Sequence, residues 1–133
     1  MQQEMGELFG LLIIVLYILT VLNFLVKWIN KKYGPSMKAN EKSYAKYKRF
    51  MRFIIKNHKL FGLLTIVFLL AHFFIQFNLY GVSITGLVAA GLLILQILLG
   101  IYGSKTKSKN KTWLVIHRSI AVFLLVAILI HII

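Results

Sequence analysis

The sequence predicts an all-α integral membrane protein with an up-down-up-down four-helix bundle, and composition is the first support for this fold class. Hydrophobic residues make up 59 % of the 133 residues, and there is a single proline. The mean hydropathy of +0.82 lies far above that of soluble domains. The apolar residues fall into four runs of about 20, the length that crosses a hydrocarbon layer of ~30 Å. Little else remains, so we expect no separate soluble catalytic domain.

Basic residues set the expected orientation. The formal net charge is +13, from 16 Lys and Arg against three acidic residues. Eleven of the basic residues lie within 27–59 and the other five within 105–118, the two connections that alternating spans place on one side. The positive-inside rule therefore predicts a multi-pass protein of the cytoplasmic membrane, with basic loops 27–59 and 104–112 in the cytoplasm and both termini outside. We expect this positive charge to lie beside the lipid bilayer rather than to bind nucleic acid.

Charge and turn residues bound the spans within a single domain of residues 1–133. The predicted spans are approximately 8–26, 54–77, 82–101 and 113–133. Gly34-Pro35-Ser36 predicts a turn after the first span, because a Gly–Pro pair interrupts a helix. The basic segment from Met37 is either a cytoplasmic extension of the second helix or an amphipathic helix on anionic lipid. Residues 78–81 and 104–111 predict the other two turns.

All four histidines lie on two of these spans, with equal spacing. Thirteen residues separate His58 from His72, and thirteen separate His117 from His131. Fourteen positions are two heptads, which return the second ring to the same helix face about 21 Å along the axis. Because the second and fourth helices run in the same direction, we predict an inner pair, His58 with His117, and an outer pair, His72 with His131. Ionisable residues inside a span are functional-site candidates.

Glycines stand at the same two levels. Gly86 and Gly100 on the third span are also separated by thirteen residues, which places Gly86 at the outer level and Gly100 at the inner level. Gly10 on the first span lies near the outer level. A missing side chain lets a large flat group approach the backbone. The pattern therefore predicts a slot beside each histidine pair.

Iron porphyrin is the group that takes two imidazoles on opposite faces within an apolar slot. We therefore predict two haem b groups, because the absence of cysteine excludes haem c attachment. A single zinc site does not suit pairs about 21 Å apart, since zinc takes four ligands at one point. A proton relay of isolated histidines is the alternative that this reasoning leaves open.

The histidine and glycine pattern resembles the di-haem four-helix core of cytochrome b, as found in quinol–cytochrome c reductases, over residues 8–133. In that family two alternate helices each carry His-x13-His, and glycines on the intervening helices face the haems. Ferric-reductase-like membrane domains look similar in using two such helices. The resemblance implies that all four histidines ligate haem iron. His58 and His117 would bind the inner haem, and His72 and His131 the outer haem. The glycines at the haem edges would be Gly100, Gly86 and Gly10.

These observations predict transmembrane electron transfer by a small cytochrome b subunit, or partner, of a larger membrane redox system. Redox proteins on one or both faces and a quinone are the expected partners, and a carrier subunit is favoured over an independent enzyme. One alternative is a quinone-linked oxidoreductase acting on superoxide or ferric iron at the outer haem, and another is a non-redox membrane scaffold. Six polar residues are candidates for quinone contact or, more simply, for interhelical hydrogen bonds: Asn23, Gln76, Asn78, Ser83, Thr85 and Gln96.

Overall fold

The computed structural model describes residues 1–106 and 110–133, which form four α-helices. Each helix is long and apolar enough to cross a membrane. The prediction of an all-helical, four-helix chain with membrane-protein character is therefore confirmed. Residues 107–109, which belong to the predicted turn and to the basic loop 104–112, lie outside the described residues. The helices are α1 (Gln2–Met37), α2 (Glu41–Tyr80), α3 (Ile84–Lys105) and α4 (Lys111–Ile132).

Side-chain caps fix where three of the helices begin. Asn40, Ser83 and Asn110 each accept a hydrogen bond from the backbone N–H three residues further on, at 3.3, 3.3 and 2.8 Å. Such caps satisfy backbone donors that have no partner within the helix. After α2 the chain reverses at Gly81, whose φ of 78° is the left-handed conformation that glycine adopts without strain. The predicted turn at 78–81 therefore begins three residues later than expected.

The predicted turn at Gly34-Pro35-Ser36 is wrong, because α1 continues through it to Met37. Proline lacks only one backbone donor, and in the last turn of a helix little of the hydrogen-bond ladder remains to be broken. The helix then closes with the N–H of Lys38 donating to the carbonyl of Gly34 at 3.1 Å. The chain reverses only afterwards, at residues 38–40.

The basic segment after this turn is an extension of α2 rather than a separate helix. α2 runs without interruption for 40 residues and α1 for 36. At ~1.5 Å per residue these lengths are about 60 and 54 Å, against a hydrocarbon core of ~30 Å. Both helices therefore exceed the predicted spans 8–26 and 54–77 by several turns. α3 and α4, with 22 residues each, are close to the predicted lengths.

Antiparallel packing of α1 on α2 and of α3 on α4 builds the chain, with a smaller contact between α2 and α3. Two clusters of buried apolar side chains hold the helices together. The first joins α1, α3 and α4 through Tyr17, Leu93 and Leu124. The second joins α1 and α2 through Val26, Ile54 and Phe61. Since each helix neighbours an antiparallel one, α2 and α4 run in the same direction.

Candidate functional site

The structure brings the four histidines together as two pairs, one from α2 and one from α4 in each. The ring centroids of His58 and His117 are 6.5 Å apart with planes at 75°. Those of His72 and His131 are 6.4 Å apart with planes at 89°. All four rings are half-buried. The two pairs lie about 21 Å apart along the helices, since fourteen residues separate them on each.

In the His72–His131 pair, hydrogen bonds from other helices hold both rings through Nδ1. His72 Nδ1 donates to the carbonyl oxygen of Gly6 on α1 at 2.9 Å. A carbonyl only accepts, so the neutral ring carries its proton on Nδ1 and leaves the Nε2 lone pair free. His131 Nδ1 lies 3.0 Å from the hydroxyl of Thr85, which lies 3.1 Å from the hydroxyl of Ser83. This pair is therefore fixed in orientation with Nε2 available on His72.

In the His58–His117 pair, stacking on an indole rather than an Nδ1 hydrogen bond holds the His117 ring. The indole of Trp113 lies parallel to the His117 ring, with centroids 5.1 Å apart and planes at 13°. The Gln96 side-chain nitrogen lies 3.3 Å from His117 Nε2 and donates to it. Nδ1 of His58 and of His117 are buried without a hydrogen-bond partner among the described residues. The two pairs thus share a ring separation but differ in how the chain supports them.

Each of the three predicted glycines faces a histidine ring. A Cβ added at Gly86 would lie 3.0 Å from His131 Cε1, and one at Gly10 would lie 3.2 Å from His72 Cε1. The corresponding distance from Gly100 to His117 Cε1 is 3.9 Å. Contacts below about 3.4 Å are tighter than packed side chains normally tolerate. Gly86 and Gly10 therefore leave the space in which the imidazoles of the second pair lie.

Between the two pairs the bundle is packed rather than polar. Tyr17, Leu93 and Leu124 form an apolar layer there. The hydroxyl of Tyr17 donates to the carbonyl of Ala121, and the buried hydroxyl of Thr65 donates to the carbonyl of Phe61 in its own helix. Neither hydroxyl connects one histidine pair to the other. The alternative of a proton relay therefore gains no support from the hydrogen bonds of this layer.

The cofactor prediction needs correction. Within residues 1–106 and 110–133, no group of three or more His, Cys, Asp or Glu side chains is placed to hold a metal ion. Among the described residues, each level offers two imidazoles and no third His, Cys, Asp or Glu ligand, and none of the four histidines is fully buried. These findings contradict the expectation of two haem b groups and a quinone. What the structure shows at each level is a pair of facing histidines.

Several residues that support the histidines were not assigned that role from the sequence, among them Gly6, whose carbonyl accepts a hydrogen bond from His72. Thr85 and Gln96 were candidates for quinone contact or interhelical hydrogen bonding, and the structure shows contacts to histidines on a neighbouring helix. Trp113 lies four residues before His117, a spacing that places two side chains on one helix face and could have indicated the stack. Gly103 lies against the indole of Trp113. No local signal marks Gly103, because its partner is set by the α3–α4 packing.

The hydroxyl of Thr85 is expected to stabilise the second pair. Thr85→Val keeps the side-chain shape and removes the bond to His131, so we expect the free energy of unfolding to fall by about 0.6–1 kcal/mol. Thr85→Ser keeps the hydroxyl and serves as the control. Thermal unfolding in detergent gives the stability, and ¹⁵N NMR of the imidazole gives the His131 tautomer. Equal behaviour of the valine and serine variants would show that the hydroxyl has no such role.

No family model matches this sequence, and neither the curated proteins nor the solved structures include a match. The resemblance to cytochrome b consequently stays a prediction from the histidine and glycine spacing. By its fold, the protein is a four-helix chain of membrane-protein character with two interhelical histidine pairs.

Proposed function

We propose that the chain is the membrane-spanning electron-transfer subunit of a larger redox system, and that its two histidine pairs are the two stations of the electron path. Because imidazole is itself redox-inactive at physiological potentials, the histidines at each station would hold and orient a redox-active group of that system. The observation that carries the proposal is the repetition of one arrangement at two depths. Facing rings from α2 and α4 have centroid separations of 6.5 and 6.4 Å. The proposal includes neither haem b nor a quinone.

Burial energetics support a functional role for these rings. A polar ring within the apolar part of a membrane helix is unfavourable unless a partner satisfies its hydrogen-bonding groups. Four histidine rings that lie as two pairs at two levels therefore indicate a shared function. In the His72–His131 pair the surrounding helices fix both rings through Nδ1, which is how proteins orient imidazoles whose Nε2 serves a functional group. Gly10 and Gly86 accommodate those rings. The apolar layer around Tyr17 keeps the two stations separate.

Electron transfer is favoured over proton transfer by what lies between the stations. Protons need a continuous chain of hydrogen-bonding groups, whereas electrons cross packed apolar material. The hydroxyls of Tyr17 and Thr65 are both directed to helix carbonyls. The principal rival is a non-redox scaffold, in which the histidines are no more than interhelical polar contacts. The bonds from His72 to Gly6 and from His131 to Thr85 are the contacts that such a scaffold requires.

A transport measurement separates these functions. The chain, isolated from the membranes in which it was made, is reconstituted in sealed vesicles loaded with ferricyanide, and dithionite is added outside. We expect the trapped ferricyanide to be reduced at least tenfold faster than in protein-free vesicles. His72→Ala and His58→Ala should each return the rate to that of protein-free vesicles. Asn78→Ala is the control, because within residues 1–106 and 110–133 this side chain donates to the carbonyl of Phe74 in its own helix and to no histidine.

The scaffold alternative makes the opposite prediction. A folded wild-type chain that leaves the ferricyanide rate at the protein-free level would overturn electron transfer as the function. A chain that accelerates the reaction equally well without His58 and His72 would show that electrons pass elsewhere. Circular dichroism of each reconstituted variant establishes that the helices are formed, so a loss of rate is not a loss of fold.

A further inference from the structure

The four helices end at different heights at the end of the chain that carries the basic connections. α2 begins at Glu41, seventeen residues before His58, whereas α4 begins at Lys111, six residues before His117. Since His58 and His117 lie at one level, α2 extends about 26 Å beyond that level and α4 about 9 Å. α1 accompanies this extension, because the Tyr47 hydroxyl donates to the carbonyl of Val26 at 2.5 Å. The α1–α2 hairpin therefore projects roughly 16 Å past α3 and α4.

The exposed surface of the projecting part of α2 is basic, and it includes Lys42, Lys46 and Arg49. Within this surface, four further basic residues recur at intervals of four, four and three residues, which aligns them in a row along the helix. The opposite side holds Tyr47, Met51 and Ile54, which pack against α1. Arg52, Lys56 and Lys59 are exposed, and Lys48 is half-buried with its ammonium 5.1 Å from the ring of Tyr44. We call this row the basic stripe: Lys48, Arg52, Lys56 and Lys59.

The position of α3 shows which part of the basic stripe is uncovered. Lys59 Nζ donates to the Ser104 hydroxyl at 2.7 Å, one residue before the end of α3 at Lys105. The stripe begins at this contact and continues away from it for eleven residues, about 16 Å, to Lys48. Only Glu41, of the three acidic residues in the sequence, lies at this end of the chain. The stripe therefore presents uncompensated positive charge above the end of α3.

We propose that the basic stripe is the docking surface for a soluble redox protein with an acidic face, the electron-exchange partner at this end of the molecule. The choice of a redox partner rests on the proposed function, while the choice of an acidic protein rests on charge complementarity. Opposite surface potentials accelerate encounter and select partners, and their effect weakens with ionic strength. Because the α1–α2 hairpin projects past the ends of α3 and α4, such a protein can contact both the side of the hairpin and the ends of α3 and α4.

The direction of the stripe favours a protein over lipid headgroups. Headgroups occupy a layer of about 6 Å on each side of the hydrocarbon core, parallel to the membrane plane. The stripe runs along the helix axis for about 16 Å and so passes well beyond that layer. The positive-inside rule requires basic residues near the ends of spans but does not require them on one helix face. Orientation of the chain in the membrane accounts for basic residues near the end of the span, whereas the part of the stripe that lies beyond the headgroup layer is available to a soluble partner.

The test compares two variants that remove the same charge. Lys48→Gln/Arg52→Gln/Lys56→Gln neutralises the uncovered part of the stripe and leaves the Lys59–Ser104 bond in place. Lys31→Gln/Lys38→Gln/Lys42→Gln removes three exposed charges from the same end but off the stripe. Each chain is placed in phosphatidylcholine nanodiscs, and binding of two acidic carriers, a flavodoxin and a plant-type ferredoxin, is measured by interferometry. Phosphatidylglycerol vesicles are the lipid probe.

We expect the stripe variant to bind an acidic carrier roughly tenfold more weakly than wild type at low ionic strength, because three positive charges, two of them on exposed side chains, no longer pair with the carrier. The matched variant should change by less than about threefold, and the difference should shrink as salt is added. Equal losses in both variants, or no difference between wild type and the stripe variant for either carrier, would overturn the proposal. So would loss of vesicle binding alone, which would assign the stripe to lipid.

This binding measurement requires no electron transfer, so it tests the docking surface independently of the proposed electron-transfer function. If the stripe variant loses carrier binding while ferricyanide reduction in vesicles is absent, the surface stands and the proposed function falls. If vesicle transport is present but no acidic carrier distinguishes the stripe variant from wild type, the function stands and the docking surface falls.

Discussion

Replacing Gly86 with leucine is expected to displace His131 from the His72–His131 pair and to lower the free energy of unfolding by about 3 kcal/mol. A Cβ at this position would lie 3.0 Å from His131 Cε1 and 3.4 Å from Ser83 Cβ, and the first distance is shorter than packed side chains tolerate without a shift. Leucine adds three further carbon atoms to that Cβ. The imidazole must then rotate away, which also breaks its bond to Thr85. Overpacking and a lost hydrogen bond act in the same direction.

A matched control exists on the same helix. A Cβ at Gly91 meets no atom within 4 Å, and Gly91 is exposed, so Gly91→Leu should leave the stability unchanged or raise it slightly. Both variants are unfolded in detergent and followed by far-UV circular dichroism. If Gly86→Leu and Gly91→Leu have the same stability, the close approach of the His131 ring to α3 is not a feature of the protein in solution.

The levels of the site could be predicted from the sequence because helical geometry fixes them. Because the two histidines are equally spaced on α2 and on α4, alignment of one pair also aligns the other. That is how His58 faces His117 and His72 faces His131. Gly86, at the matching spacing on α3, lies against its ring for the same reason. The number of helices followed equally directly from the four apolar runs, although α1 and α2 extend several turns beyond theirs.

Features that depend on packing between particular side chains could not be predicted. The turn expected at Gly34-Pro35-Ser36 failed because a proline in a last helical turn disturbs little, a condition that depends on where the helix ends. The supporting contacts of Trp113 and Thr85 depend on the rotation of one helix against its neighbour. The prediction of bound cofactors was wrong because each level holds two imidazoles, and the described residues contain no group of three ligating side chains.

Replacing Gly103 with alanine should likewise destabilise the α3–α4 contact, by about 1–3 kcal/mol. An added Cβ would overlap the indole of Trp113, which is held from two sides. Its Nε1 donates to the carbonyl of Leu99 at 3.1 Å, and its face stacks on His117. The ring therefore cannot move without losing one of these contacts. The control is Gly91→Ala, which should stabilise the helix by up to about 1 kcal/mol, because alanine is the better helix former.

A double-mutant cycle shows whether Trp113 is the cause. In a Trp113→Leu background the indole is gone, so Gly103→Ala should become neutral or stabilising, with a coupling energy on the order of 2 kcal/mol. Trp113 is one of only two tryptophans. Its fluorescence in a Trp28→Phe chain therefore reports the displacement of the indole by Gly103→Ala directly. A coupling energy near zero would mean that the cost of alanine comes from elsewhere on α3. A full coupling would establish that Gly103 sets the position of Trp113, whose indole stacks on His117.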